Sequence, residues 1–149
     1  MKIDGNVNEY QAQLKKVNNI FANAIIRSSR DVFGIMHQFY EYDDKEKLYV
    51  MLLNSRKKVI GVNLVSIGTV DNVTIHPREV FKVPIILGAV SIILIHNHPS
   101  GDVRPSDSDI DMTKKIIECG KLLDIPLMDH IIYYENKHYS IYNEEEIDE

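Results

Sequence analysis

The stretch VSIILI at residues 90–95 places the strongest single demand on the fold. It is a continuous apolar run of strand length, so both faces of the strand must be covered, and a central position in a sheet provides that. The chain leaves this strand through HNHPSGDVRPSDSD, residues 96–109. Two histidines one residue apart are followed by turns at Pro99, Gly101 and Pro105, and then by Asp102, Asp107, Asp109 and Asp111. Whether these groups meet at one point depends on the elements around them.

Hydrophobic spacing predicts those elements. SSRDVFGIMHQFY opens with Ser28 and Ser29 as N-cap candidates and sets Val32, Ile35, Met36 and Phe39 at helical intervals. LYVMLLN and KKVIGVNLVSIG are rich in β-branched residues and meet at NSRK, which reads as a hairpin. In HPREVFKVPIILGA, Pro77 suits a first helical position and Glu79 suits the positive end of the helix dipole, with a stop near Gly88. A further helix is expected from about Pro105 to Leu123, carrying Ile110, Thr113, Ile117 and Gly120 along one stripe. IIYY and HYSIY form a second hairpin around ENK. At the N-terminal side, VNEYQAQLKK alternates as a half-buried strand, with a helix through Tyr10, Leu14 and Val17 as its rival. The last residues, NEEEIDE, read as a solvated acidic end.

The order strand, helix, hairpin, helix, strand, helix, hairpin is that of an α/β domain, and 149 residues suit one such domain. A single cysteine, Cys119, excludes an internal disulfide and a Cys-rich zinc site and fits a reducing compartment. VPIILGAVSIILI, residues 83–95, is too short to span a bilayer and is broken by Pro84 and Gly88. With no signal-peptide pattern in MKIDGNVNEYQ, the expected location is the cytoplasm, away from membranes. A net charge of −5 disfavours a polyanion-binding role. The basic residues Arg56, Lys57 and Lys58, and Lys114 with Lys115, read as solvated faces. Oligomeric state is not legible.

Residues i and i+2 of an extended segment point the same way, so His96 and His98 can present both imidazoles on one side of the strand exit. Asp109, in the first turn of the following helix, can supply a carboxylate facing back toward them. Two histidines and one carboxylate with an open fourth position describe catalytic rather than structural zinc. The spacing alone leaves other readings open. Ser106-x-x-Asp109 is also a capping-box variant. Asp102, Asp107 and Asp111 can be solvated, and His37, His76 and His138 isolated or satisfied. Asp129 beside His130 reads as a carboxylate-oriented histidine or as a structural hydrogen bond.

The pattern His96-x-His98-Pro99, then Ser106-x-x-Asp109, resembles the JAMM signature of the JAB/MPN metallo-isopeptidase superfamily. The fuller string HNHPSGDVRPSDSDIDMTKKI, with HPREVFK before it and LLDIPLMDHIIYY after it, is similar to the RadC branch of that superfamily. The likeness spans residues 25–143, leaving residues 1–24 as an N-terminal extension with one strand and residues 144–149 as an acidic tail. It implies a cytidine-deaminase-like α/β sandwich with a mixed central sheet flanked by helices. It also implies Zn2+ held by His96, His98 and Asp109, with Ser106 polarising the substrate carbonyl or oxyanion.

The general base that such a site needs comes from an early strand after a helix, and Glu46 stands there; Glu79 is the rival, and a solvated turn beside Lys45 and Lys47 is the alternative role for Glu46. The expected function is zinc-dependent hydrolysis of a peptide or isopeptide bond in a peptide or protein substrate. A non-catalytic metal-binding MPN scaffold and a DNA-repair-associated nucleic-acid-processing protein are the rivals. Many RadC proteins carry a helix-hairpin-helix module, and none precedes residue 25, so nucleic-acid binding is not expected.

Overall fold

The computed structural model describes residues 24–37, 44–68 and 75–148. The predicted strand at 7–16 and Phe39 lie outside them. The described chain runs α1 (Ser29–Met36), β1 (Glu46–Leu53), β2 (Val59–Gly68), α2 (Pro77–Leu87), β3 (Ser91–Asn97), α3 (Asp107–Leu122), β4 (Leu127–Tyr134), β5 (Lys137–Ser140) and β6 (Glu145–Asp148). The strands form one sheet in the order β2-β1-β3-β4-β5-β6. Among the described strands, only the β3–β4 pair is parallel. A parallel pair needs a crossover, and α3 supplies it.

VSIILI lies at the centre of this sheet, as its composition requires. Every residue of β3 is buried. Its odd positions, Ile93 and Ile95, pack with Tyr49, Met51 and Leu53 of β1 and with Val32, Phe33, Ile35 and Met36 of α1. Its even positions, Ile92 and Leu94, pack with Leu48, Val50 and Leu52 and with Val80, Phe81 and Ile116 on α2 and α3. One helix therefore covers one face and two cover the other, a mixed sheet flanked by helices as expected. His96 and His130 fall on the two-helix face by the same period of two.

Local signals set the ends of the helices. Ser28 is the N-cap of α1, and the Asp31 carboxylate accepts the Ser28 amide hydrogen. Pro77 opens α2, and Gly88 closes it at φ 66°, a left-handed conformation that suits glycine. Gly120 has a packing role: a Cβ there would stand 2.6 Å from the Ile125 carbonyl oxygen, so a side chain would push α3 away from the approach to β4.

Two sequence expectations need correction. The buried stripe of α3 is Asp109, Thr113, Ile116 and Gly120, rather than Ile110, Thr113, Ile117 and Gly120. Asp109 takes an inward position that an apolar pattern assigns to its neighbour. The residues NEEEIDE are also more than a solvated end, because β6 pairs with β5 from Lys137↔Asp148 to Ser140↔Glu145. Edge strands accept such charge, since Glu145 and Glu146 remain exposed while the backbone pairs.

Candidate metal centre

β1 runs antiparallel to β3, with Leu48 opposite His96, so the start of β1 and the end of β3 share one edge of the sheet. The N-terminus of α3 reaches the same edge. There His96, His98 and Asp109 each offer a ligand atom to one small volume. His96 Nε2 and His98 Nε2 are 2.9 Å apart. Asp109 Oδ1 is 3.2 Å from His96 Nε2, and Oδ2 is 3.2 Å from His98 Nε2. His96 and Asp109 are 1 % and 0 % exposed, which removes water as a general solvent for their polar atoms.

The hydrogen bonds around these groups define their protonation. His98 Nδ1 lies 2.6 Å from the Asp102 carbonyl oxygen, which can only accept, so Nδ1 carries the hydrogen and Nε2 of the neutral ring is a bare acceptor. Asp109 Oδ2 accepts the Ser106 amide at 2.9 Å, and Ser106 Oγ accepts the Asp109 amide at 3.1 Å, the reciprocal capping box. Asp109 Oδ1 is buried with no hydrogen-bond partner. Acceptors crowded at these distances require a shared cation.

A metal fits that requirement. Ligands about 2.0–2.1 Å from a tetrahedral zinc stand roughly 3.3 Å apart, close to the separations here. Without a metal, a proton is the available cation. Burial opposes charge on His98, yet hydrogen bonds donated by the charged ring to Asp109 and to the Asp102 carbonyl, with the charges of Asp109 and Glu46, outweigh it and raise the pKa of the ring. Burial likewise works against ionised Asp109, and the close approach of the His96 and His98 rings overcomes it and holds the carboxyl well below the usual range.

The other sequence candidates divide. Ser106 is exposed and caps α3. It also lines a groove of about 480 Å³ with His98, Ser100, Asp102, Arg104 and Pro105. Arg104 is locked to Asp102 by a two-pronged contact, Nε–Oδ1 3.0 Å and Nη2–Oδ2 2.8 Å, and keeps that carboxyl well below its usual range. Glu46 opens β1 at the metal edge, half-buried, with its charge felt at His98. Glu79 is held by Lys82 at 2.9 Å in the first turn of α2, and that contact lowers its pKa.

Three contributors escaped the sequence reading. Asn97 ties the end of β3 to the start of β1 through Lys47 N and Lys45 O. His130 and Thr113 form a buried chain behind His96. Of the two readings for Asp129 beside His130, the carboxylate-oriented ring does not form and the structural hydrogen bond does. Asp129 accepts from the His130 amide, from Ser140 Oγ and from the Tyr142 amide, because strand neighbours point to opposite faces. The spacing of Thr113, four residues after Asp109, was the available signal for the chain behind His96.

Residues 26–147 match the family model described as the RadC-like JAB domain. The chain belongs to that family. It is 44 % identical over 117 residues to a UPF0758 protein of Desulforamulus reducens, a match covering 78 % of this chain and 52 % of that protein. It is 45 % identical over 116 residues to a UPF0758 protein of Alkaliphilus metalliredigens, covering 78 % and 50 %. A UPF0758 protein of Clostridium acetobutylicum is 40 % identical over 129 residues, covering 87 % and 56 %. The chain thus spans about half the length of the curated relatives it matches. This RadC-like domain has a His-His-Asp group that could hold a metal ion. Among its described residues, no helix is long and apolar enough to cross a membrane.

Proposed function

We propose that this RadC-like domain is a zinc-dependent metallohydrolase of the JAMM type, cleaving a peptide or isopeptide bond. The observation that carries the reading is the convergence of two imidazole acceptors and the orphaned Asp109 Oδ1 at a buried point beside an open polar groove. Zinc held there by three protein ligands would act as a Lewis acid and lower the pKa of a bound water toward about 7.

The side chains of the chain then have separate tasks. Glu46 accepts the proton of the attacking water and returns it to the leaving amine, from a position whose charge already reaches His98. Glu79 serves α2 and its Lys82 pair. Ser106 Oγ uses a lone pair on the Asp109 amide, so its own hydrogen remains to stabilise negative charge on the carbonyl oxygen. The groove beside His98 and Ser106 receives the peptide or protein substrate, and a net charge of −5 favours such a partner over a polyanion. The lone Cys119 suits work in the cytoplasm.

The test pairs metal analysis of the purified protein with a screen of peptide, isopeptide and oligonucleotide substrates. Stoichiometric zinc and amide cleavage lost in His96→Ala support the reading. Stoichiometric metal without any amide cleavage leaves a metal-binding scaffold. Strand scission that depends on His96 replaces the peptidase reading with a nuclease one.

A further inference from the structure

Behind the ligands lies a buried chain of short hydrogen bonds that starts and ends on metal-site residues. Thr113 Oγ1 donates to the Asp109 carbonyl oxygen at 2.7 Å. His130 Nδ1 is 2.6 Å from Thr113 Oγ1. His130 Nε2 is 2.7 Å from His96 Nδ1. Thr113 and His130 are 3 % and 0 % exposed, so no bulk water substitutes for either partner.

The directions of these bonds follow from which atoms can donate. A carbonyl oxygen only accepts, so the one hydroxyl hydrogen of Thr113 is committed to Asp109. Thr113 Oγ1 then meets His130 with a lone pair, and His130 Nδ1 must carry the hydrogen. In the neutral ring that single hydrogen on Nδ1 leaves Nε2 bare, so His130 Nε2 is an acceptor. The hydrogen between the two rings therefore sits on His96 Nδ1. His96 Nε2 is left as a lone pair aimed at His98 and Asp109.

We propose that His130 and Thr113 are positioning residues for the metal site, forming a relay that fixes the tautomer of His96 from the backbone carbonyl of Asp109, another of the three ligands. The proposal rests on the metal-site reading above and does not require hydrolase activity. The relay couples two ligands from different elements, β3 and α3, through β4. A shift of α3 relative to β4 would carry the Thr113 hydroxyl away from His130 Nδ1 and remove the constraint on His96.

The test is zinc affinity, measured by competition with a chromogenic chelator on metal-stripped protein. Thr113→Val removes both the donor to Asp109 and the acceptor for His130 while conserving shape, whereas Thr113→Ser keeps both. Loss of an outer partner of a metal-ligating histidine typically weakens binding about 10- to 100-fold. That loss is expected for Thr113→Val, with Thr113→Ser within about threefold of the parent protein. Nitrogen-15 spectra of the metal-free histidine side chains add a readout that simple destabilisation does not move: His96 carries its hydrogen on Nδ1 in the parent and Thr113→Ser, and gains Nε2–H tautomer in Thr113→Val.

If Thr113→Val does not fold, His130→Gln and His130→Leu replace it. Glutamine can accept from His96 and donate to Thr113, so it should bind zinc more tightly than the leucine variant. Unchanged affinity and an unchanged His96 tautomer in Thr113→Val, or equal affinity in the two His130 variants, overturn the relay. Parent-like zinc binding in His96→Ala/His98→Ala would instead overturn the metal site itself, and absent turnover with the affinity differences intact would overturn only the hydrolase reading.

Discussion

Asn97 joins Lys47 across the metal edge of the sheet: its Oδ1 accepts the Lys47 amide hydrogen at 2.7 Å. Its Nδ2 donates to the Lys45 carbonyl at 3.0 Å, so one side chain brackets Glu46 from both sides. Asn97→Ala removes both bonds and frees the first residues of β1. With Glu46 as the base, turnover should fall roughly 10- to 100-fold, the scale of loss from misplacing a reacting group by about 1 Å. Zinc content should stay at the parent level, because the Asn97 side chain bonds to the backbone of Lys45 and Lys47 rather than to the side chains of the three ligands. Activity equal to the parent would show that Glu46 needs no such support.

Glu46→Gln keeps the shape of the side chain and removes its ability to take a proton. Turnover should drop by about 100-fold or more, with zinc retained. Glu79→Gln is the control and should leave turnover within a small factor, since that carboxylate is paired with Lys82 on the surface of α2. The opposite result in steady-state kinetics would move the base to Glu79.

Removal of the metal should be visible in stability as well as activity. A ligand that binds only the folded state stabilises it by about 2.7 kcal/mol when present at 100 times its dissociation constant. A chelator should therefore lower the melting temperature of the zinc-loaded protein. It should have no such effect on His96→Ala/His98→Ala, which elemental analysis should find free of zinc. Stoichiometric metal in that double variant would place the site elsewhere.

Ser106 has two jobs that separate by substitution. As the N-cap of α3 it accepts from the Asp109 amide, and asparagine caps about as well, whereas alanine typically costs about 0.5–2 kcal/mol. Ser106→Asn should thus keep the melting temperature while turnover falls roughly 100-fold, the loss typical of a missing oxyanion donor. Equal turnover in Ser106→Asn would confine the residue to capping.

Asp129 makes a prediction in pH. Burial raises its pKa above the ordinary value of 3.8, against the hydrogen bonds from Ser140, Tyr142 and His130 that favour the carboxylate. The folded state then holds this proton more tightly than the unfolded chain does. The stability it contributes is complete below pH 3.8 and is lost as pH rises through the raised value. Asp129→Asn carries no such loss, so its urea midpoint relative to the parent should climb between about pH 4 and pH 7. A constant or shrinking difference across that range would contradict the raised pKa.

The elements were legible because they depend on local chemistry. Pro77 and Gly88 bound α2, Ser106 caps α3, and the unbroken run VSIILI has only one kind of place in a sheet. The group that could hold a metal was legible for a similar reason: His96 and His98 share one side of a strand by a period of two, and Asp109 stands one capping box beyond the turn. Where patterns failed, a polar residue had taken a buried position or an exposed strand had borrowed its stability from a neighbour. Asp109 displaced the stripe of α3 by one residue, and β6 exists because β5 offers it a ladder.

Sequence by itself therefore determined the helices, the central strand and the His96, His98 and Asp109 group that could hold a metal. Tertiary structure alone decided what stands behind that set. His130 is 34 residues from His96, and Thr113 is 17 from His130, distances at which no periodicity speaks. Asn97 reaches Lys45 from 52 residues away. Such pairs arise only after β1, β3 and β4 lie side by side and α3 packs across them. Hydrogen-bond direction is set by the atoms that meet, and chain order does not record which atoms those will be.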